Sequence, residues 1–290
     1  MRWIAVALLS LLSMPAMADQ PVDGALGFQP AATQIAERIH SFHSILLVII
    51  TLIVILVMAL LLYVILRHNE KANPVPSKFS HNTTIEIAWT LAPVIILMFV
   101  AFFSFRELYY QDVFPDVDEV EVVNIKAQGN QWNWTYTYTD VIVDDYPMEF
   151  VSNPIHRGFE GEPDGTFEAP RNLAVDLPLV VPVDTVVRVQ TAASDVIHSF
   201  AVPAFGVKVD AVPGRLNELW FRVEETGTYF GQCSELCGKD HAFMPIEIHV
   251  VSQSDYEAWL ERAQGSVLDA REFLASLSEG AQPVQLASAQ

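Results

Sequence analysis

Cysteine is nearly absent from this chain, with two among 290 residues. A scaffold built on several disulfides is therefore excluded. Basic residues are also scarce: 16 lysines and arginines stand against 35 aspartates and glutamates, a net charge of −19 that does not suit a nucleic-acid partner. No Cys-x-x-Cys-His sequence occurs, which excludes covalent attachment of a c-type haem. Internal repeats are lacking as well, so a repeat architecture is excluded.

The first 18 residues have the pattern of a secretory signal peptide. Arg2 provides a basic start, an apolar run covers residues 3–12, and the small-residue ending Ala16-Met17-Ala18 is typical of a cleavage site. An uncleaved membrane anchor is the alternative, and the shortness of the apolar run disfavours it. We therefore expect cleavage after Ala18, followed by a linker over residues 19–40 outside the cytoplasm.

Two long apolar segments follow, residues 41–66 and residues 85–105. Each is long enough to cross a bilayer as a helix, for which about 20 residues suffice. The loop between them, residues 67–84, contains Pro74 and Pro76 and three lysines or arginines. The excess of positive charge places this loop in the cytoplasm. Both ends of the hairpin then face the outside, in agreement with the signal peptide.

The remainder of the chain is polar and acidic, with 30 acidic against 11 basic residues from position 106 onward. Short segments that alternate apolar and polar residues or are rich in β-branched types predict strands: VEVVNIKA, WNWTYTY, LVVPVDTVVRVQTA, LNELWFRV, GTYFGQC and PIEIHVV. Their Pro and Gly punctuation favours an antiparallel sandwich over residues 106–253. Within it, residues 140–171 have weak strand character and are predicted to form an insertion at the edge. Residues 254–290 are predicted to form one or two amphipathic helices, over 255–277, and a polar tail.

The segment GQCSELCGKDHAFMP, residues 231–245, concentrates groups that bind metals. It contains both cysteines, Cys233 and Cys237, together with His241 and Met244. Soft sulfur ligands combined with nitrogen select copper over magnesium, calcium or manganese. One further histidine would complete a site in which two thiolates bridge two metal ions. His198, in the segment SDVIHSFAVP, is the candidate.

Three other interpretations of this segment are open on spacing alone. The cysteines of an exported chain often form a disulfide. Zinc accepts two cysteines and two histidines in tetrahedral geometry, although Met244 is a ligand that zinc does not need. Finally, Phe243 and Met244 could be ordinary core residues and His241 a solvated loop residue.

Four motifs in the chain resemble those of one family, subunit II of the haem–copper cytochrome c oxidases. Residues 231–245 resemble its copper-binding loop, and TTIEIAWTLAPVIIL, residues 83–97, resembles the start of its second membrane helix. QGNQWNWTYTY, residues 128–138, is similar to its aromatic strand. DVIHSFAVPAFGVKVDAVPGRLN, residues 195–217, is similar to the segment that brings the first histidine ligand. The resemblance implies a cupredoxin-like Greek-key sandwich, preceded by a transmembrane hairpin in a bacterial inner membrane and lying in the periplasm.

The resemblance also implies a dinuclear copper A centre and a role for each ligand. Cys233 and Cys237 would bridge the two ions, and His198 and His241 would be terminal nitrogen ligands. Met244 and the backbone carbonyl of Glu235 would be weak axial ligands. The Glu235 carboxylate would bind a magnesium or manganese ion shared with subunit I, which accords with the preference of hard cations for oxygen.

Further residues receive roles in electron and proton transfer from the same resemblance. Trp132 would be the point at which electrons enter, although an aromatic on a strand is also an ordinary core residue. The donor would be a basic cytochrome c, attracted by the acidic domain. Asp176 and Asp195 match docking acids in relatives, whereas Thr137 stands where many relatives have an acid. Glu86 matches the acid at the mouth of a proton channel into subunit I, although an acid there can also simply lie at the membrane interface.

The function implied is to accept electrons from cytochrome c and pass them to haem a of subunit I. The complex, with subunit III as a further partner, would reduce oxygen to water and pump protons. This chain alone would do neither. One alternative is a quinol oxidase subunit, which keeps the fold but lacks the copper ligands present here. Another is a copper-delivery or nitrous-oxide-reducing protein, against which the hairpin with Glu86 and the IAWTLAP motif argue.

Overall fold

A computed structural model describes residues 21–22, 24–115, 120–155, 170 and 172–279 of the chain. The signal peptide predicted for residues 1–18 lies outside them, as does the tail after residue 279. The chain divides into two compact units. One is the segment Arg38–Val113, and the other combines the residues up to Glu37 with those from Phe114 onward.

The first unit contains all of one long apolar helix, α2 at Thr83–Asp112, and all but the first four residues of another, α1 at Gln34–Arg67. Both are long and apolar enough to cross a membrane. Asn82 caps α2, because its side-chain oxygen accepts hydrogen bonds from two backbone N–H groups at 3.1 and 3.2 Å. Near the other end of α2, Arg38 Nε donates to Glu107 Oε2 at 2.6 Å, which joins the two helices.

Both helices are longer than the apolar segments at 41–66 and 85–105 predict. The helix α1 begins inside the predicted linker at 19–40, where the Thr33 hydroxyl accepts a hydrogen bond from Ala36 N at 3.1 Å. The helix α2 continues to Asp112, inside the segment expected to be a sandwich. Hydropathy marks the part of a helix that suits the bilayer interior, and a helix does not have to end there.

The described residues of the second unit include a β-sandwich of ten strands. They are β1 Val122–Asn130, β2 Asn133–Val143, β3 Tyr146–Ser152, β4 Leu179–Pro182, β5 Val186–Ala193, β6 His198–Val202, β7 Val207–Ala211, β8 Asn217–Phe221, β9 Gly227–Gln232 and β10 Pro245–Val251. The largest sheet has the order β3-β2-β1-β5-β8, a second has the order β4-β10-β9, and β6 pairs with β7. The interior is mainly aromatic and β-branched and includes Trp134, Phe200 and Ile246.

The predicted sandwich is confirmed, but the expectation that it is antiparallel is wrong for two of the described pairs of strands, which are parallel. The strand β1 runs parallel to β5, and β4 runs parallel to β10. Alternating polarity indicates that a segment is a strand but carries no information about the direction of its neighbour. The segment predicted as one strand over residues 179–192 is also divided, because the chain turns between β4 and β5 at Asp184, whose φ is 56°.

The edge insertion predicted for residues 140–171 is wrong in its first part. The strand β2 continues to Val143, and Tyr146 pairs with it to begin β3. Asp144 and Asp145 form the two-residue turn between them with φ values of 48° and 69°. Aspartate tolerates this left-handed conformation, and two such residues match the twist of a β-hairpin. Residues 156–169 and 171 lie outside the described residues.

Two helices follow the last described strand, α3 at Gln253–Gly265 and α4 at Val267–Glu279, and α3 packs against the sandwich. The Ser252 hydroxyl caps α3 by accepting from Asp255 N at 3.1 Å. Trp259 is buried, and its ring centroid lies 5.5 Å from that of Tyr138 in β2. The periodicity that predicts one or two helices over 255–277 therefore corresponds to two.

Candidate metal centre

A single loop between two antiparallel strands carries most of the predicted metal ligands. The strand β9 ends at Gln232 and β10 begins at Pro245, and these two residues are paired across the ladder. Cys233 N also donates to Met244 O at 3.3 Å, which closes the loop at its base. Pairing of the two flanking strands therefore holds the ends of the ligand loop together. His198 reaches the same place from the first position of β6.

Each of the six predicted ligand residues has an atom close to one of the two thiols, and the donor atoms of His198, Cys233 and Cys237 lie within 4.8 Å of one another. The sulfur atoms of Cys233 and Cys237 are 3.8 Å apart. His198 Nδ1 lies 3.9 Å from the first sulfur, and His241 Nδ1 lies 3.5 Å from the second. The Met244 thioether sulfur is 3.5 Å from Cys237 Sγ, and the Glu235 carbonyl oxygen is 3.3 Å from Cys233 Sγ.

These distances bear on the other interpretations of the segment. A disulfide has its sulfurs about 2.05 Å apart, whereas here both thiols are free and buried. Tetrahedral zinc uses four ligands, yet a thioether and a carbonyl also approach the thiols. Met244 is 1% exposed, so it is a buried residue whose sulfur nevertheless points at Cys237. A set of soft sulfurs with two imidazoles fits copper better than it fits zinc.

The two thiols have different proton affinities. Burial alone would raise the pKa of Cys233, but hydrogen bonds from His198 and from backbone groups outweigh it and lower that pKa to about 6. Burial raises the pKa of Cys237 to about 12, with repulsion from a Cys233 thiolate acting in the same direction. The first proton therefore leaves the pair readily and the second is retained. A bound cation would offset the repulsion between two thiolates.

His198 is held in place by contacts that the ligand motif does not reveal. Its Nε2 lies 2.9 Å from Asp195 Oδ1, which turns Nδ1 toward Cys233. The imidazole is fully buried, and a Cβ atom at Gly129 would come within 2.8 Å of its ring. Gly129 therefore leaves the space that the ring occupies. A glycine within a strand often marks such a close approach, and this signal was present in the sequence.

Both predicted docking acids take part in hydrogen bonds within the domain. Asp195 accepts from His198, from Val196 N at 2.7 Å and from Gln131 N at 2.8 Å. Burial alone would raise the pKa of its carboxyl, but these hydrogen bonds outweigh burial and lower it. Asp176 accepts from Asn153 N at 2.7 Å. The sequence indicated an electrostatic role for these acids and did not reveal their positions in the network.

Thr137, the departure from the family pattern, lies beside a carboxylate. Its hydroxyl donates to Glu149 Oε2 at 2.8 Å, and the two residues are paired across β2 and β3. An acidic group is therefore present at this place in the sheet, although the neighbouring strand supplies it.

Trp132 lies next to the metal-binding loop, in the two-residue turn between β1 and β2. Its ring is half-buried against Gly238, where a Cβ atom would come within 2.9 Å of Trp132 Cζ2. The preceding residue, Gln131, donates from Nε2 to Cys237 O at 2.7 Å. The sequence predicts no separate role for Gln131 or Gly238, although both belong to motifs that resemble the family.

Glu86 belongs to the helical unit. It is half-buried in the first turn of α2, on the helix face that also presents Thr83, Ile87, Thr90 and Leu91. Its Oε1 accepts a hydrogen bond from Asn82 N at 3.3 Å, so it contributes to the helix cap. The Glu235 side chain is exposed, and no second cluster of metal-ligating side chains includes it in the described part of the chain.

Comparisons with known proteins agree on one family. Residues 123–251 match the family "Cytochrome C oxidase subunit II, periplasmic domain", and residues 21–107 match "Cytochrome C oxidase subunit II, transmembrane domain". Cytochrome c oxidase subunit 2 of Cereibacter sphaeroides is 43% identical over 270 residues, 90% of this chain and 88% of the relative. Probable cytochrome c oxidase subunit 2 of Rickettsia bellii is 46% identical over 252 residues, 87% of this chain and 89% of the relative. The crystal structure of the periplasmic domain of subunit II of cytochrome oxidase of Bradyrhizobium japonicum is 48% identical, covers 53% of this chain and 99% of that domain, and has a TM-score of 0.45.

Proposed function

The chain belongs to the cytochrome c oxidase subunit II family, and from this premise we propose that it is the electron-accepting subunit of a haem–copper oxidase. It takes single electrons from a soluble donor at a dinuclear copper A centre and delivers them to haem a of subunit I. Reduction of oxygen and proton pumping belong to the assembled complex. The chain alone has no turnover.

The observation that carries this proposal is the cluster of donor atoms formed by two histidines and two cysteines. The two thiol sulfurs lie 3.8 Å apart, His198 Nδ1 lies 3.9 Å from Cys233 Sγ, and His241 Nδ1 lies 3.5 Å from Cys237 Sγ. Two metal ions sharing both sulfurs would each then receive one nitrogen. Copper bound in this way supplies a one-electron redox couple spread over two ions.

The residues of the loop keep the donor atoms in place when the charge changes. Cys233 and Cys237 are 5% and 3% exposed, so little water has to reorient around them. The paired ends of the loop at Gln232 and Pro245 limit its movement. Met244 and the Glu235 carbonyl, which lie 3.5 and 3.3 Å from the thiols, would add weak ligands to the metal, and Asp195 holds the His198 imidazole. A rigid, dry donor set keeps the reorganisation energy of each transfer small.

Trp132 is the proposed point at which electrons enter, because its half-buried ring contacts the ligand loop at Gly238. The donor is a basic cytochrome c. With 30 acidic against 11 basic residues from position 106 onward, the polar part of the chain attracts a cationic protein and raises the rate of encounter in a salt-dependent way. Glu149, beside Thr137, contributes an acidic group to this surface together with Asp176.

The remaining roles depend on subunit I as a partner. The exposed Glu235 carboxylate binds magnesium or manganese with ligands that subunit I supplies. Glu86 is the proposed point at which protons are taken up from the cytoplasm, and the hairpin of α1 and α2 anchors the copper domain in the bacterial inner membrane. Subunit III completes the set of proposed partners.

The test is metal analysis and electron paramagnetic resonance of the full chain, purified in detergent and loaded with copper under reducing conditions. We expect two coppers per chain and a hyperfine pattern in which one unpaired electron is shared by two copper nuclei. The Cys237→Ser chain is the matched control and should lose this pattern. One copper, a zinc ion or a Cys233–Cys237 disulfide in the natural chain would contradict the proposal.

A further inference from the structure

Gln131 connects the turn that carries Trp132 to both ligand-bearing segments of the metal centre. Its side-chain Nε2 donates to Cys237 O at 2.7 Å, so the turn is tied to the loop between β9 and β10. Its backbone N–H donates to Asp195 Oδ2 at 2.8 Å, and the other oxygen of that carboxylate contacts His198. Gln131 is therefore bonded to one ligand residue and to the group that orients another.

In the described part of the chain, no hydrogen bond of its own side chain holds Trp132 in place, because its buried Nε1 has no partner there. Lys239 Nζ lies 5.5 Å from the ring centroid, but this side chain is 77% exposed, so the cation–π contact is weak. On its inner side the ring rests on Gly238 without a polar contact. The position of the ring therefore depends on the residue that ties the turn to the loop.

We propose that Gln131 is a positioning residue for electron uptake, which keeps the Trp132 ring against the loop at Gly238. This inference rests on the proposed function. Electron transfer slows steeply as the gap between donor and acceptor widens. If the turn loses its hydrogen bond to the loop, the Trp132 ring spends less time against the loop, and electron uptake is slower. Loss of one neutral hydrogen bond changes a local equilibrium about fivefold, and the uptake rate should fall by up to about that factor.

The test compares Gln131→Met with Gln253→Met in the full, copper-loaded chain. Methionine keeps the length of the side chain and removes its donor group. Gln253 is the control, because its amide also donates one hydrogen bond, but to Glu257 Oε1 at 3.2 Å within α3 instead of to the ligand loop. Copper reduction is timed after flash photoreduction of a basic cytochrome c. We expect slower reduction in Gln131→Met, no change in Gln253→Met, and unchanged copper content and paramagnetic resonance spectra in both.

A second readout needs no metal. In the metal-free chain, the Trp132 indole N–H should exchange with solvent faster in Gln131→Met than in the natural chain or in Gln253→Met, as measured by nuclear magnetic resonance. Unchanged uptake with unchanged exchange would overturn the inference. Loss of copper or an altered spectrum in Gln131→Met would also overturn it, because Gln131 would then support the metal ligands themselves. If the natural chain failed to bind two coppers, the proposed function would fail. Indole exchange would still test whether the Gln131 hydrogen bond to Cys237 O holds the Trp132 ring.

Discussion

One added methyl group at Gly129 should disturb the metal centre more than its size suggests. In a Gly129→Ala chain the new Cβ would lie 2.8 Å from His198 Cγ and Cδ2 and 2.9 Å from its Cβ, whereas ordinary contact begins at 3.4 Å. Either the ring or the strand must therefore move by about 0.6 Å in a close-packed interior. The ring has no free direction, because it is fully buried and Nε2 is bonded to Asp195 at 2.9 Å.

The expected cost of Gly129→Ala is about 1–3 kcal/mol of unfolding free energy, the usual range for overpacking a core. Gly265→Ala is the matched control, because a Cβ there meets nothing within 4 Å. This control should be neutral or stabilised by up to about 1 kcal/mol, since alanine loses less backbone entropy on folding.

Urea unfolding of the metal-free chain in detergent, followed by near-ultraviolet circular dichroism, measures the difference between the two variants. Copper loading followed by paramagnetic resonance should show an altered spectrum only for Gly129→Ala, because only that substitution displaces a ligand. Equal unfolding midpoints and identical copper spectra in the two variants would refute the reasoning from the close approach.

Three further predictions concern the thioether, the thiols and the helical hairpin. Met244→Leu should keep both coppers and shift their reduction potential in a redox titration, because a weak axial sulfur is lost; complete loss of copper would contradict a weak role. In the metal-free chain, thiolate absorbance should appear as the pH rises through about 6 and vanish in Cys233→Ser, because hydrogen bonding lowers the pKa of that thiol while the pKa of Cys237 is about 12. A single step near the ordinary thiol pKa would argue against this assignment. Arg38→Met should lower the stability of the helical hairpin by about 1–2 kcal/mol, because it leaves a half-buried Glu107 unpaired. Adding Glu107→Gln should restore most of the loss, as measured by thermal unfolding in detergent. Equal melting temperatures of the single and double variants would count against the ion pair.

The family, the fold class and the two helices able to cross a membrane were predictable because their signals are local. Two apolar segments suffice to predict two helices, and the ligand loop places four donor side chains within twelve consecutive residues. His198 was a candidate only because its flanking residues resemble the same family. The structure places it beside Cys233 at 3.9 Å, and the bridging and axial roles stay predictions.

The directions of the strands and the support of the ligands were not predictable, since both depend on residues distant in the sequence. Periodicity predicts that β1 and β5 are strands, but only packing of the sandwich makes them parallel. Gln131 and Cys237, which share a hydrogen bond, are 106 positions apart in the sequence. The sequence alone does not distinguish a docking role for Asp195 from a hydrogen bond to the His198 imidazole, which only the fold brings about. The sequence by itself therefore determined which atoms could bind a metal. The tertiary structure decided which residues hold those atoms in place, because hydrogen bonds and close contacts form between groups that only folding brings together.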